Sequence, residues 1–161
     1  MTPLNENRKH LATLLLGIFF QQIGLGYENS IETDSSNSVY ELDTLENIIK
    51  NNGDEGRMIN FLKVDIEGDE LESVPQWLKS NILENIQQIQ MEVHTTEKHI
   101  KTQEGITTVF NFLESVKIMS EKFGFHIIDH SPNPCMYKEL NSKGERYDTN
   151  FDIVLYKPKK E

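Results

Sequence analysis

Cysteine is almost missing from this chain: Cys135 is the one thiol in 161 residues. A lone cysteine closes no internal disulfide and leaves no CxxC pair, so a disulfide scaffold and a thiolate zinc centre are both excluded. Positive charge is scarce as well. Lys and Arg number 16 against 26 Asp and Glu, a formal net charge of -10. That balance repels phosphate backbones and argues against nucleic acid as a surface-bound partner, though not against a small nucleotide-like cofactor held in a crevice. Long apolar runs are absent too. Leu11–Phe20 falls well short of the roughly 20 residues that span a bilayer. It follows Arg8, Lys9 and His10 in the order of a signal peptide, but no A-x-A-like cleavage site comes after it. Read as a core-packing helix passing into a strand, it argues against a membrane partner and favours a cytoplasmic chain over a secreted one.

What is present suffices for one core. With 37% hydrophobic residues, the chain reads as one domain. Its organising stretch is Ile59–Glu70, INFLKVDIEGDE. Ile59, Phe61, Leu62, Val64 and Ile66 suit a strand buried on both faces, as in a parallel sheet. The run ends abruptly in Asp65, Glu67, Gly68, Asp69 and Glu70. Open α/β sheets place their ligand crevices at the carboxyl ends of such strands.

Around that strand the pattern alternates. Asn5–Leu16 reads as a helix, Ile18–Leu25 as a buried strand, and Tyr27–Val39 as a solvent loop. A helix follows, capped by Asp43 or Thr44 and closed by Asn51-Asn52-Gly53. Asp69 and Glu72 have the spacing of a capping box. Pro75 then requires a kink, or a restart capped by Ser73. Asn85–His94 holds the next strand, and Ile106–Phe123 the longest helix, stopped by Gly124. Phe125–Asp129 and Phe151–Tyr156 are two more strands, joined by a polar loop with Pro132, Pro134 and Gly144. The order βαβαβαββ predicts a largely parallel sheet with a hairpin-like last pair.

Asp65 and Glu67 are two residues apart, as are Glu92 and His94, which on a strand puts each pair on one face. Parallel neighbours about 4.8 Å apart would gather three carboxyl groups and an imidazole. Such a group suits a hard divalent cation, or His94 as a general base near neutral pH. A purely structural ion network gathers the same side chains, and no metal is assigned. An EF-hand is excluded because glycine comes fourth, not sixth, after Asp65. A Walker loop is excluded by the lack of a GKS or GKT ending. Gly24 and Gly26 form only a lone GxG. His10, His99, His126 and His130 have no partner pattern, and Trp77 reads as core.

Two motifs carry a family resemblance. Leu62-Lys63-Val64-Asp65-Ile66-Glu67-Gly68 with Glu70, and Gln88-Ile89-Gln90-Met91-Glu92-Val93-His94, resemble paired motifs of the FkbM-type S-adenosylmethionine-dependent methyltransferases. FQQIGLG, TLENIIKNN, GFHIIDHSPNP and FDIVLYK follow in that family's order, so the resemblance covers roughly residues 19–157. It implies a partial Rossmann-like methyltransferase sheet, mostly parallel with a C-terminal antiparallel strand. Residues 1–18 would form a leader and 19–158 the methyltransferase-like domain.

By the same resemblance Asp65, Glu67, Glu92 and His94 line the substrate side as catalytic residues. S-adenosyl-L-methionine is the implied cofactor, and a small hydroxyl or carboxyl compound the implied substrate. Such a family opens with a glycine-rich turn for the cofactor's amino-acid end and an acidic strand end for its ribose, and nothing upstream of Phe19 matches either. Gly24 and Gly26 match a later strand, so no cofactor-binding residue is assigned. Two functions follow as expectations: a methyltransferase with His94 or Asp65 as proton acceptor, or a truncated or degenerate fold without cofactor binding or catalysis. The oligomeric state is not set by any of these features.

Overall fold

The computed structural model describes residues 20–33, 36–132, 138–140, 146–148 and 150–159. In chain order these form β1 (Gly24–Leu25), β2 (Ser30–Thr33), β3 (Val39–Asp43), α1 (Leu45–Asn51), β4 (Leu62–Val64) and α2 (Glu70–Trp77). A 3₁₀ turn at Ile82–Asn85 leads to β5 (Gln88–His94), α3 (Glu97–Lys101), α4 (Gln103–Phe123) and β6 (His126–Pro132). The short β7 (Lys138–Leu140) and β8 (Arg146–Asp148) precede β9 (Asn150–Tyr156). The leader expected at 1–18, its helix over Asn5–Leu16, Pro134, Cys135 and Gly144 lie outside the described residues.

The architecture is α/β with mixed sheets. The main sheet has the order β4-β5-β9-β6. β4 pairs β5 in parallel, with Leu62 opposite Ile89 and Val64 opposite Met91. β9 is antiparallel to both β5 and β6. So β4, β5 and β6 point one way and β9 alone runs against them. A second sheet has the order β1-β3-β2, and among the described residues β7 pairs β8 alone.

Burial explains why the elements lie as they do. Ile89, Met91 and Val93 alternate along β5 and are fully buried, the period-two signature of a half-buried strand. They share one cluster with Leu71, Val74 and Trp77 of α2, Phe112, Val116 and Met119 of α4, and Ile153 and Leu155 of β9. α1 starts because the Thr44 hydroxyl accepts the Asn47 N–H at 3.3 Å, an N-cap contact of ordinary kind. The buried Asp43 carboxylate supports it, accepting the Thr44 N–H at 2.8 Å and the Asn47 side-chain amide at 2.7 Å. α4 stops at Gly124, whose φ of 77° is the left-handed C-cap conformation. Among the described residues no helix is long and apolar enough to cross a membrane.

Several expectations are corrected. Of the buried strand expected over Ile18–Leu25, only Gly24–Leu25 is laddered among the described residues, and Phe20, Gln21 and Gln22 are exposed. The expected solvent loop Tyr27–Val39 contains β2 and leads into β3, an antiparallel pair. Its mostly exposed side chains hid the strand from an apolar-run criterion. The strand at Ile59–Ile66 is laddered only at Leu62–Val64 and by a bridge from Ile59 to Ile86. It is not buried on both faces: Phe61 is 52% exposed. β4 is also an edge strand, since no described strand pairs its far side. The Asp69–Glu72 capping box does not form, because Asp69 has helical φ and ψ and makes no side-chain cap bond. α2 continues through Pro75 without a restart at Ser73, held there by the fully buried Val74 and Trp77.

Candidate active site at the ends of strands β4 and β5

The chain leaves β4 at Val64 and turns sharply before α2. Gly68 has a φ of 120°, a conformation that favours glycine. Glu67 adopts a φ of 59°, unusual for a residue with a side chain. The turn is closed from below by Glu70, the first residue of α2, which is fully buried. Its carboxylate accepts the Ile66 N–H at 2.6 Å and the Gly68 N–H at 2.9 Å. It therefore satisfies backbone donors that the turn and helix start would otherwise leave unpaired.

Glu70 also reaches across to β5. It lies 3.2 Å from Nδ1 of His94 and accepts the His94 backbone N–H at 3.4 Å. With N–H groups aimed at both of its oxygens, the carboxylate is an acceptor throughout, so Nδ1 is the protonated ring nitrogen. Nε2 faces outward.

There the four residues expected from the sequence meet. Nε2 of His94 stands 3.5 Å from Glu92 Oε1, 3.7 Å from Glu67 Oε2 and 3.9 Å from Asp65 Oδ1. Strand geometry accounts for the β5 pair, and the turn for the other: Asp65 and Glu67 lie beyond the end of β4 and not, as the spacing suggests, on one strand face. Glu92 and His94 share one face of β5, and Asp65 lies one step beyond Val64, which pairs Met91. The His94 side chain is 6% exposed, whereas those of Asp65 and Glu67 are 44% and 83% exposed. The imidazole is thus a buried wall and the carboxylates its wet rim. Lys63 reaches Asp65 Oδ2 at 3.4 Å, a weak exposed pair.

Glu70 belongs to the resemblance motif but was absent from the candidate site. Its signal was faint: a glutamate directly after a glycine turn reads equally well as helix N-terminal charge. Asp69 has the residue type of a cap, yet burial raises its pKa to about 6, helped by Glu32, Glu72 and Glu70. Nearby, Glu28 chiefly raises the Tyr27 pKa, with burial, Glu72, Asp69 and Glu32 adding to it. Gly24 and Gly26 lie outside the cluster. A Cβ on either would meet the Leu42 side chain, at 2.4 Å and 3.2 Å respectively. These glycines make room for Leu42.

Comparison with known proteins yields no match among curated proteins and none among solved structures. A protein family described as a methyltransferase domain does match, over residues 9–137. That span runs through β4, α2, β5 and α4 and holds Asp65, Glu67, Glu70, Glu92 and His94. The chain belongs to this methyltransferase-domain family.

Proposed function

We propose that this chain is an S-adenosylmethionine-dependent methyltransferase of Rossmann-like fold, its domain covering residues 19–158, acting on a small hydroxyl or carboxyl acceptor. The observation that carries the reading is the convergence of Asp65, Glu67, Glu92 and His94 at the carboxyl ends of two parallel strands. This is the place where open α/β sheets bind ligands. Methyl transfer to oxygen needs an aligned acceptor and a group to take its proton. Three carboxylates and an imidazole nitrogen offer that group, and Gly68 leaves open space over the turn, since nothing lies within 4 Å of an added Cβ.

The fit to the cofactor is incomplete. The Leu42 side chain packs against Gly24 and Gly26, and these residues are not assigned to the cofactor. The cluster serves the acceptor side, with His94 held in one tautomer by Glu70.

The test is calorimetry of the 161-residue chain with S-adenosylmethionine and S-adenosylhomocysteine, followed by transfer of labelled methyl to panels of small alcohols and acids. Saturable one-to-one binding, with transfer lowered by Asp65→Asn, is expected. Absence of binding to both nucleosides would overturn the cofactor assignment.

A further inference from the structure

The end of β4 and β5 presents an electrostatic problem that its own hydrogen bonds do not resolve. Glu70 occupies Nδ1 of His94; in the neutral ring the lone pair then lies on Nε2. That lone pair faces carboxylate oxygens of Glu92, Glu67 and Asp65 at 3.5, 3.7 and 3.9 Å. These separations exceed the 2.7–3.2 Å or so of a well-made N–H···O bond. Nε2, on a side chain only 6% exposed, has no hydrogen-bond partner among the described residues. Atoms that all carry lone pairs are therefore aimed at one point, and one of them is buried. Such an arrangement is unfavourable in a low-dielectric setting unless positive charge sits among them.

We infer that this point is a divalent-cation site, with His94 Nε2, Asp65 and Glu67 as ligands. One atom from each of the three lies within 4.8 Å of the others. Ligands bound at about 2.0–2.2 Å to a tetrahedral or octahedral ion stand roughly 2.8–3.6 Å apart. The spacings to Nε2, 3.7 and 3.9 Å, need only a small contraction to reach that range. Glu70 behind the ring completes a carboxylate–imidazole–metal relay, the arrangement that sets ring orientation and tautomer at metal sites. An imidazole with two carboxylates suits Mn²⁺ or Zn²⁺ better than Ca²⁺, which takes oxygen ligands. The exposure of Asp65 and Glu67 leaves coordination positions open to water or to an acceptor hydroxyl. Glu92, itself 3.5 Å from Nε2, remains beside the ion to take the acceptor's proton. This inference concerns the cluster used in the proposed function, but it does not require methyl transfer.

The experiment is titration of the full chain with Mn²⁺ and, separately, Zn²⁺, read by calorimetry and by the electron paramagnetic resonance of free Mn²⁺. One site per chain is expected. Glu67→Gln and Asp65→Asn, both at exposed side chains, should each weaken it about tenfold or more while melting like the parent. Glu114→Gln, on exposed α4 surface, should change nothing, which controls for loose attraction to a chain of net charge -10. Lack of saturable binding of either ion would overturn the inference and leave a proton as the charge at Nε2. Binding unchanged in both Glu67→Gln and Asp65→Asn would overturn it equally. Because no nucleoside is present, a cation that binds without S-adenosylmethionine affinity refutes the methyltransferase reading alone, and the reverse result refutes this one alone.

Discussion

Replacing Glu70 by alanine tests the site's foundation. The side chain is fully buried and accepts from Ile66 N–H, Gly68 N–H and His94 Nδ1 at 2.6, 2.9 and 3.2 Å. The contact to the His94 backbone, at 3.4 Å, is long enough to set aside. Truncation orphans three donors at once. Each buried, unsatisfied donor costs about 1–3 kcal/mol. Water entering from the open turn offsets part of this, because Gly68 has free space above it. The net loss should be about 3–5 kcal/mol, the range for breaking one side of a buried polar pair. That is a large share of the roughly 5–15 kcal/mol typical of a domain. Glu70→Gln keeps the shape but turns an amide NH₂ toward backbone N–H groups, and should cost about 1–3 kcal/mol. Glu67→Gln, two-sided by solvent, should stay within about 0.5 kcal/mol. Urea unfolding followed by circular dichroism reads all three. A Glu70→Ala loss below about 1 kcal/mol would refute the claim that this carboxylate organises the turn.

Other outcomes follow from particular positions. Asp69 has its pKa raised from 3.8 to about 6, so the folded state holds the proton more tightly; its stabilisation is present below about pH 4 and lost as pH rises through about 6. Asp69→Asn should therefore be more stable than the parent at pH 7.5, by about 1 kcal/mol once solvent screening is allowed for, with the gap closing near pH 4 in parallel melts. Gly105→Ala would place a Cβ 2.2 Å from the Lys98 carbonyl oxygen and 2.5 Å from His99 Cα, where backbone must move, and should cost about 2–3 kcal/mol in urea. Gly124→Ala meets open space but keeps a φ of 77°, and should cost only about 1 kcal/mol in the same assay. Phe61 is 52% exposed next to β4, whose far side no described strand pairs, so Phe61→Lys should slow heat-induced light scattering with little change in melting temperature.

The legible parts of the chain were those with a strong period or a single dominant residue. β5 announced itself by alternating apolar residues, α4 by its apolar face and Gly124, and α1 by Thr44. The β2–β3 pair was not legible, since Ile31, Val39 and Tyr40 are exposed. A strand held mainly by backbone bonds writes no apolar pattern. α2 misled in another way. Asp69 has the residue type and spacing of a cap, yet the neighbouring Glu70 carboxylate took the backbone donors of the turn. Local propensity has no means of ranking two adjacent acids when only one can be buried.

The same division runs through the site. The expected strand-face pairing of Asp65 with Glu67 does not occur, because both lie beyond β4 in the turn, where Glu67 has a φ of 59°. From sequence alone came the residue types, the two-residue spacing that puts Glu92 with His94 on one face of β5, and the chain positions at which two strands end. Those follow from local geometry, because the strand period is built into the backbone. Tertiary structure decided that β4 and β5 are parallel neighbours, and hence that the two pairs meet. It also decided that β9 inserts between β5 and β6, that β4 is left at an edge, and that Glu70 is buried beneath His94. These outcomes depend on which surfaces bury one another across 24 or more residues of chain, as between Glu70 and His94. No local signal encodes that choice, since it is made by the packing of the whole core.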